Sequence, residues 1–92
     1  MPRVASDAAA HIGRRIADRR QSLGMTQDQV AVISEIDSSN VRAYESGRAM
    51  PSIQSLVRIA IALGVEPGEL LRGLTLELFS APAEDGRRRR AN

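Results

Sequence analysis

The chain has 92 residues, 42% of them apolar and 26% charged, with a net charge of +2; that suffices for one modest core and leaves little room for a separate catalytic cleft. The absence of cysteine excludes disulfides and thiolate metal sites, and a single histidine, His11, argues against His-based metal clusters and catalytic triads, so no metal, cofactor or enzyme activity is expected. No apolar run approaches the roughly 18 residues of a membrane helix, and Met1 to Ala10 lacks the apolar stretch of a secretory signal, so a soluble cytoplasmic protein is expected.

The charge is unevenly spread. All thirteen cations are arginines, and four of them, Arg87 to Arg90, stand together near the end of the chain. Residues 1–80 hold nine arginines against nine acids and are formally neutral. Any polyanion footprint in the folded part must therefore come from where arginines sit, not from their excess.

Five helices can be read in chain order. The first is expected over 7–23, with Ser6 as cap, Asp7 at its positive end and Gly24 as its stop. Ile12, Ile16 and Leu23 form its apolar stripe with Arg20 on the same side. Arg14, Arg15 and Arg19 read as a solvated face, with a phosphate contact as the alternative. Thr26-Gln27-Asp28-Gln29 is a capping-box pattern that opens a second helix running to about Ile33, with Val30, Ala31 and Ile33 inward. After Ser34-Glu35-Ile36, Asp37 is expected to cap a third helix, Ser38 to Glu45, that ends at Gly47. Its Val41 and Tyr44 point inward; Ser38, Ser39, Arg42 and Ala43 point out.

Ser52 caps a fourth helix over 53–63, whose apolar face is read as Ile53, Leu56, Val57, Ala60 and Leu63, with Gly64 as its stop. Pro67 suits the first turn of a short fifth helix to Leu71. Leu74 to Leu78 then alternates as a half-buried strand would, while Leu74 and Leu78 also fit one helix face. From Ser80 the composition turns to Ala, Pro, Glu, Asp, Gly and Arg, and a disordered basic tail is expected.

The second and third segments are the informative pair. A short helix, a tight turn and a second short helix make a helix-turn-helix. Ala31 is small enough for close approach, and Ile36 and Val41 fill the angle between the helices. The outer half of the third helix is then free to enter a major groove about 12 Å wide.

In order and spacing, Ile12-Gly13-Arg14-Arg15-Ile16, Arg20, Gly24-Met25-Thr26-Gln27, Val30-Ala31, Ile36, Val41, Tyr44-Glu45-Ser46-Gly47-Arg48, Pro51, Ile59-Ala60 and Ala62-Leu63-Gly64-Val65 resemble the phage-repressor-like (XRE/Cro-type) helix-turn-helix family across roughly residues 12–72. The resemblance implies an all-α, compact five-helix DNA-binding domain over residues 7–72; a dimerisation segment over 73–80 and the tail over 81–92 are expected to follow it. It implies base reading by Ser38, Ser39, Arg42 and Ala43, phosphate contacts by Gln27, Ser46 and Arg48, with Asn40 touching the backbone, and an ion pair between Arg20 and Glu45. At the turn, Glu35 stands where family members often carry glycine, so a positive φ there would be mildly strained. Glu35 and Asp37 also place two acids beside the base-reading end and weaken non-specific affinity.

The chemistry at these positions stands independently of the resemblance. Arg42 can pair with O6 and N7 of guanine, whereas Ser38 and Ser39 can bond any base edge and Ala43 can touch a thymine methyl. Gln27, at a helix start, can donate to phosphate. Such contacts set register rather than sequence. Leu74, Leu76, Leu78 and Phe79 exceed what a domain of this size needs for its core, so they either cover that core or join two copies. The leading expectation is a sequence-specific regulator, a repressor or autoregulator in type, nucleoid-associated and homodimeric on a palindromic double-stranded operator. The alternative is an antitoxin or other partner-binding protein, with DNA binding secondary.

Overall fold

The computed structural model describes residues 5–80. Within them the chain forms α1 (Asp7–Ser22), α2 (Gln27–Ser34), α3 (Ser38–Ser46), α4 (Ile53–Leu63), α5 (Pro67–Leu70) and a single 3-10 turn over Leu76–Phe79. No strand occurs among the described residues. The tail and its Arg87–Arg90 run lie outside them.

Local chemistry sets where the helices start. The Ser6 hydroxyl accepts from the Ala9 amide at 3.0 Å, and the Ser52 hydroxyl accepts from the Ser55 amide at 3.0 Å. At α2 the capping box is closed in both directions: the Gln29 amide donates to Thr26 Oγ1 at 3.0 Å, and the Thr26 amide donates to Gln29 Oε1 at 2.8 Å. Asp37 differs from expectation. It occupies the N-cap of α3, but its carboxylate makes no capping hydrogen bond. Its backbone carbonyl alone joins the helix, accepting from the amides of Asn40 and Val41.

The core is built from Ile12 and Ile16 of α1, Val30 and Ala31 of α2, Val41 of α3, Leu56, Ile59, Ala60 and Leu63 of α4, and Leu70 of α5. Three sequence expectations are corrected here. Ile33 faces solvent, because an eight-residue helix buries the stripe Val30, Ala31 and Ser34. Ser34 tolerates that burial by donating its hydroxyl to the Val30 carbonyl at 2.6 Å. Leu23 is likewise exposed, lying past the last turn of α1. On α4 the buried face is Leu56, Ile59, Ala60 and Leu63, while Ile53 and Val57 are exposed. The only polar residues of α4 are Gln54, Ser55 and Arg58, so the apolar arc is wide enough that periodicity alone allowed two faces. Packing against α2 and α5 selected one.

Two of the α1 arginines are not a solvated face. Arg15 Nε donates to the Glu69 carbonyl at 2.7 Å and Arg19 Nε to the Leu63 carbonyl at 3.1 Å. Both thus cap carbonyls at the C-terminal ends of α5 and α4, where a cation is favoured by the helix dipole. Arg14 remains exposed. The segment after α5 is a turn, not a strand. A lone strand would leave its backbone groups unpaired; instead Leu74 packs on the core and the Arg72 carbonyl lies 2.6 Å from His11 Nε2.

The tightest junction is between α1 and α3. A Cβ at Gly13 would lie 2.7 Å from the Glu45 carbonyl oxygen and would also overlap the Tyr44 carbonyl oxygen. Backbone therefore meets backbone at this crossing, and only hydrogen fits. Gly13→Ala is expected to destabilise the fold by about 2 kcal/mol or more, as overpacking does when the obstacle is main chain. Gly68→Ala, with no atom within 4 Å of the added carbon, should be neutral or mildly stabilising. Urea unfolding of both variants checks the contrast; equal effects would remove the special role of Gly13.

Candidate nucleic-acid interface

The α2–α3 unit places a rod of side chains on one side of the molecule. Val41 is fully buried and anchors α3, while Ser39, Asn40 and Arg42 on its outer side are exposed and Ser38 and Ala43 half-exposed. The turn that sets the angle between α2 and α3 depends on Glu35, which sits at φ 60° and ψ 40°, the left-handed region. It is the one non-glycine residue with positive φ among the described residues. Its amide and the next reach back to α2, with the Ile36 amide donating to the Ala31 carbonyl at 3.0 Å.

Behind the rod lies a charged clamp. Arg20 Nε and Nη2 donate to the two carboxylate oxygens of Glu45 at 2.6 and 3.0 Å, a bidentate pair joining α1 to α3. Arg20 Nη1 also donates to the Met25 carbonyl at 2.8 Å. The hydrogen bonds to Glu45 raise the Arg20 pKa above its ordinary value, more than burial lowers it, and the carboxylate charge adds to the rise. Gln27 joins the same carboxylate, its Nε2 donating to Glu45 Oε1 at 2.9 Å. Gln27, Glu45 and Arg20 thus form one network at the start of α2.

On the outer face, Arg42 Nη2 donates to Asp28 Oδ1 at 3.1 Å, a pair open to solvent on both sides. Arg48 Nε donates to the Ser46 hydroxyl at 3.1 Å, and that hydroxyl donates to the Ala43 carbonyl. Ser46 and Arg48 are thereby held together on the loop after α3. Arg58 of α4 donates to Glu35 Oε1 at 3.3 Å and to the Ser34 carbonyl at 3.5 Å. An open hollow between α2 and α3 is lined by Asp28, Val32, Glu35, Asp37 and Ser38, among others. Its three acids make it a poor seat for a phosphate. The pairing of Arg42 with Asp28 and of Glu35 with Arg58 was not legible in the sequence, since no periodic signal links an exposed acid on one helix to an arginine on another.

A helix-turn-helix family model matches residues 16–70. The transcriptional repressor RstR of the cryptic phage CTXphi from Vibrio cholerae is 37% identical over 59 residues, 64% of this chain and 53% of that protein. Human endothelial differentiation-related factor 1 is 36% identical over 77 residues, 84% of this chain and 47% of that protein. The chain spans about half the length of these two curated relatives. The crystal structure of the restriction-modification controller protein C.AhdI from Aeromonas hydrophila superposes with a TM-score of 0.66 and 32% identity, over 67% of this chain and 94% of that one.

Relief of the left-handed residue gives a test of the turn. Glu35→Gly removes the steric penalty of that conformation and forfeits only a solvent-exposed ion pair with Arg58. Stability should rise by roughly 0.5–1 kcal/mol, net of the glycine entropy cost. Chemical denaturation measures it; a loss of stability would show that the Glu35 side chain holds the turn.

Proposed function

The chain belongs to the helix-turn-helix family, and we propose that it is a sequence-specific, double-stranded-DNA-binding transcription regulator of the repressor or autoregulator kind. The observation that carries this reading is the outward face of α3, with Ser39, Asn40 and Arg42 open to solvent on a helix whose inner side is locked by Val41. Residues 7–72 form the DNA-binding unit. Ser38, Ser39, Arg42 and Ala43 read base edges. Gln27, Asn40, Ser46 and Arg48 hold the sugar-phosphate backbone.

Arg42 is the specificity anchor, bidentate to a guanine. To reach it, the guanidinium exchanges Asp28 for the base. A solvent-exposed pair of this kind contributes at most about 1 kcal/mol, less than the roughly 1–3 kcal/mol of a good base contact, so the exchange is favourable. The network around Glu45 serves orientation: with Nε2 tied to that carboxylate, Gln27 presents a fixed amide beside the α2 N-terminus, where an anion is favoured.

The family relatives support the reading through their own names, one a transcriptional repressor and one a restriction-modification controller. A homodimer on a palindromic operator completes it, with recognition helices roughly 34–36 Å apart. Leu76 and Phe79 of the 73–80 segment are open for such a contact, whereas Leu74 and Leu78 are half-buried.

Selection of bound sequences from a random duplex pool tests this. The chain should enrich a palindromic site, and Arg42→Ala should lose about 5- to 150-fold discrimination at one base pair per half-site, the equivalent of roughly 1–3 kcal/mol. Asp28→Asn should bind non-specific DNA more tightly, since a carboxylate facing phosphate is removed. An equal loss on all sequences in Arg42→Ala would reduce Arg42 to a phosphate contact. No enrichment of any site by the unaltered chain would end the reading.

A further inference from the structure

Moving Arg42 onto a base leaves Asp28 behind. The Asp28 carboxylate has one hydrogen bond among the described residues, from Arg42 Nη2 to Oδ1 at 3.1 Å. Asp28 lies in the first turn of α2 and Arg42 on the outer side of α3, and their side chains are 71% and 48% exposed. The two groups thus face one water-filled space between the helices, on the side offered to DNA in the reading above. A duplex seated there displaces that water. A carboxylate left without a donor then costs binding energy, as any unpaired charge at an interface does.

We infer that Asp28 is itself a base-reading residue. Its carboxylate accepts a hydrogen bond from the exocyclic amine of an adenine or cytosine beside the guanine that Arg42 reads. This rests on the proposed DNA-binding function and extends its reading surface from α3 to α2.

The chemistry of the carboxylate sets the choice of base. An ionised carboxylate has acceptors and no donor. The major-groove edge offers donors only at N4 of cytosine and N6 of adenine, whereas guanine and thymine present the acceptors O6 and O4. Every base pair carries one amine and one carbonyl there, so Asp28 fixes which strand bears the amine.

Spacing places that amine next to the guanine. Bidentate pairing of Arg42 occupies both O6 and N7 and fills the edge of its own base pair. The carboxylate, 3.1 Å from the guanidinium in the free protein, meets the next base pair, which is stacked about 3.4 Å along the axis.

The neighbouring arginines are engaged elsewhere. Arg20 is held by Glu45 and the Met25 carbonyl, Arg58 by Glu35 and the Ser34 carbonyl, and Arg48 by Ser46. With Arg42 on its guanine, the DNA is left to supply the donor.

The test starts from the site that the unaltered chain selects from random duplexes, with Arg42→Ala identifying the guanine. Duplexes that differ only at the positions flanking that guanine are then compared by fluorescence anisotropy. At one of them, adenine or cytosine should bind at least about 10-fold more tightly than guanine or thymine on the same strand. Asp28→Ala should abolish this preference and leave the preference for the guanine in place. Asp28→Lys presents donors alone and should reverse it toward guanine and thymine. Asp28→Glu keeps the carboxylate and should keep the sign of the preference.

Taking the amine away tests the contact from the DNA side. Purine for adenine, or 2-pyrimidinone for cytosine, should weaken binding by the unaltered chain. The same change should cost Asp28→Ala nothing further, the non-additivity of two groups in contact. These analogues need no variant to show the first loss, so a misfolded variant does not decide the outcome.

A flanking position that the unaltered chain does not select overturns the inference and leaves the DNA reading standing. So does a preference that survives Asp28→Ala, or an amine whose removal costs nothing. A loss confined to the guanine would make Asp28 a support for Arg42 and overturn it as well. If no site is enriched at all, the DNA reading fails first and takes this inference with it.

Discussion

The crossing of α1 over α3 governs the rest of the structure. Gly13 brings main chain against the carbonyls of Tyr44 and Glu45, and about two turns further along α1 the Arg20 guanidinium grips the Glu45 side chain with two hydrogen bonds. A largely buried ion pair of this kind contributes little net stability against a well-packed apolar pair. Its value here is geometric, since a planar fork tolerates one orientation of the carboxylate. Once Glu45 is held, the inner side of α3 is fixed and the outer side is fixed with it. Gln27 is tied to the same carboxylate, so the start of α2 and the end of α3 share one reference point. A recognition surface needs that kind of support, because base edges are read only when side chains are placed within a fraction of an ångström.

The outer surface is balanced rather than basic. Arg42 is paired with Asp28 and Arg58 with Glu35, and Asp37 lies beside both acids on one hollow. Counterion release by such a face is modest. The hollow between α2 and α3 gathers Asp28, Glu35 and Asp37 on its lining.

The exclusive use of arginine fits this architecture. Arg15 and Arg19 spend their donors on the last carbonyls of α5 and α4, and Arg20 spends its donors on Glu45 and the Met25 carbonyl. A lysine offers one point charge and no fork. Three of the nine arginines in residues 1–80 are therefore structural cement in this way. They also tie the C-terminal helices to α1, so α4 is held at an orientation set by the same helix that sets α3.

Much of this was legible before any coordinates. The capping box at Thr26 and Gln29, the serine caps at Ser6 and Ser52 and the glycine stops at Gly47 and Gly64 are local chemistry, and local chemistry is written in neighbouring residues. The five helices and the α2–α3 motif follow from it. What the sequence left open shares one cause. Ile53, Val57 and Ile59 sit on a helix whose apolar arc spans more than half its circumference, so periodicity could not say which part of it meets the core; contact with α2 and α5 decided it. Leu74 to Phe79 fits strand and helix alike, and the lack of a neighbouring strand decided it. Arg15, Arg19, Arg42 and Arg58 are long side chains whose partners lie 14 to 54 positions away, and separations of that kind are closed only by folding. Residue order determined the elements and their ends; the tertiary structure decided which face each element buries and which charge each arginine meets, because those depend on atoms brought together from distant parts of the chain.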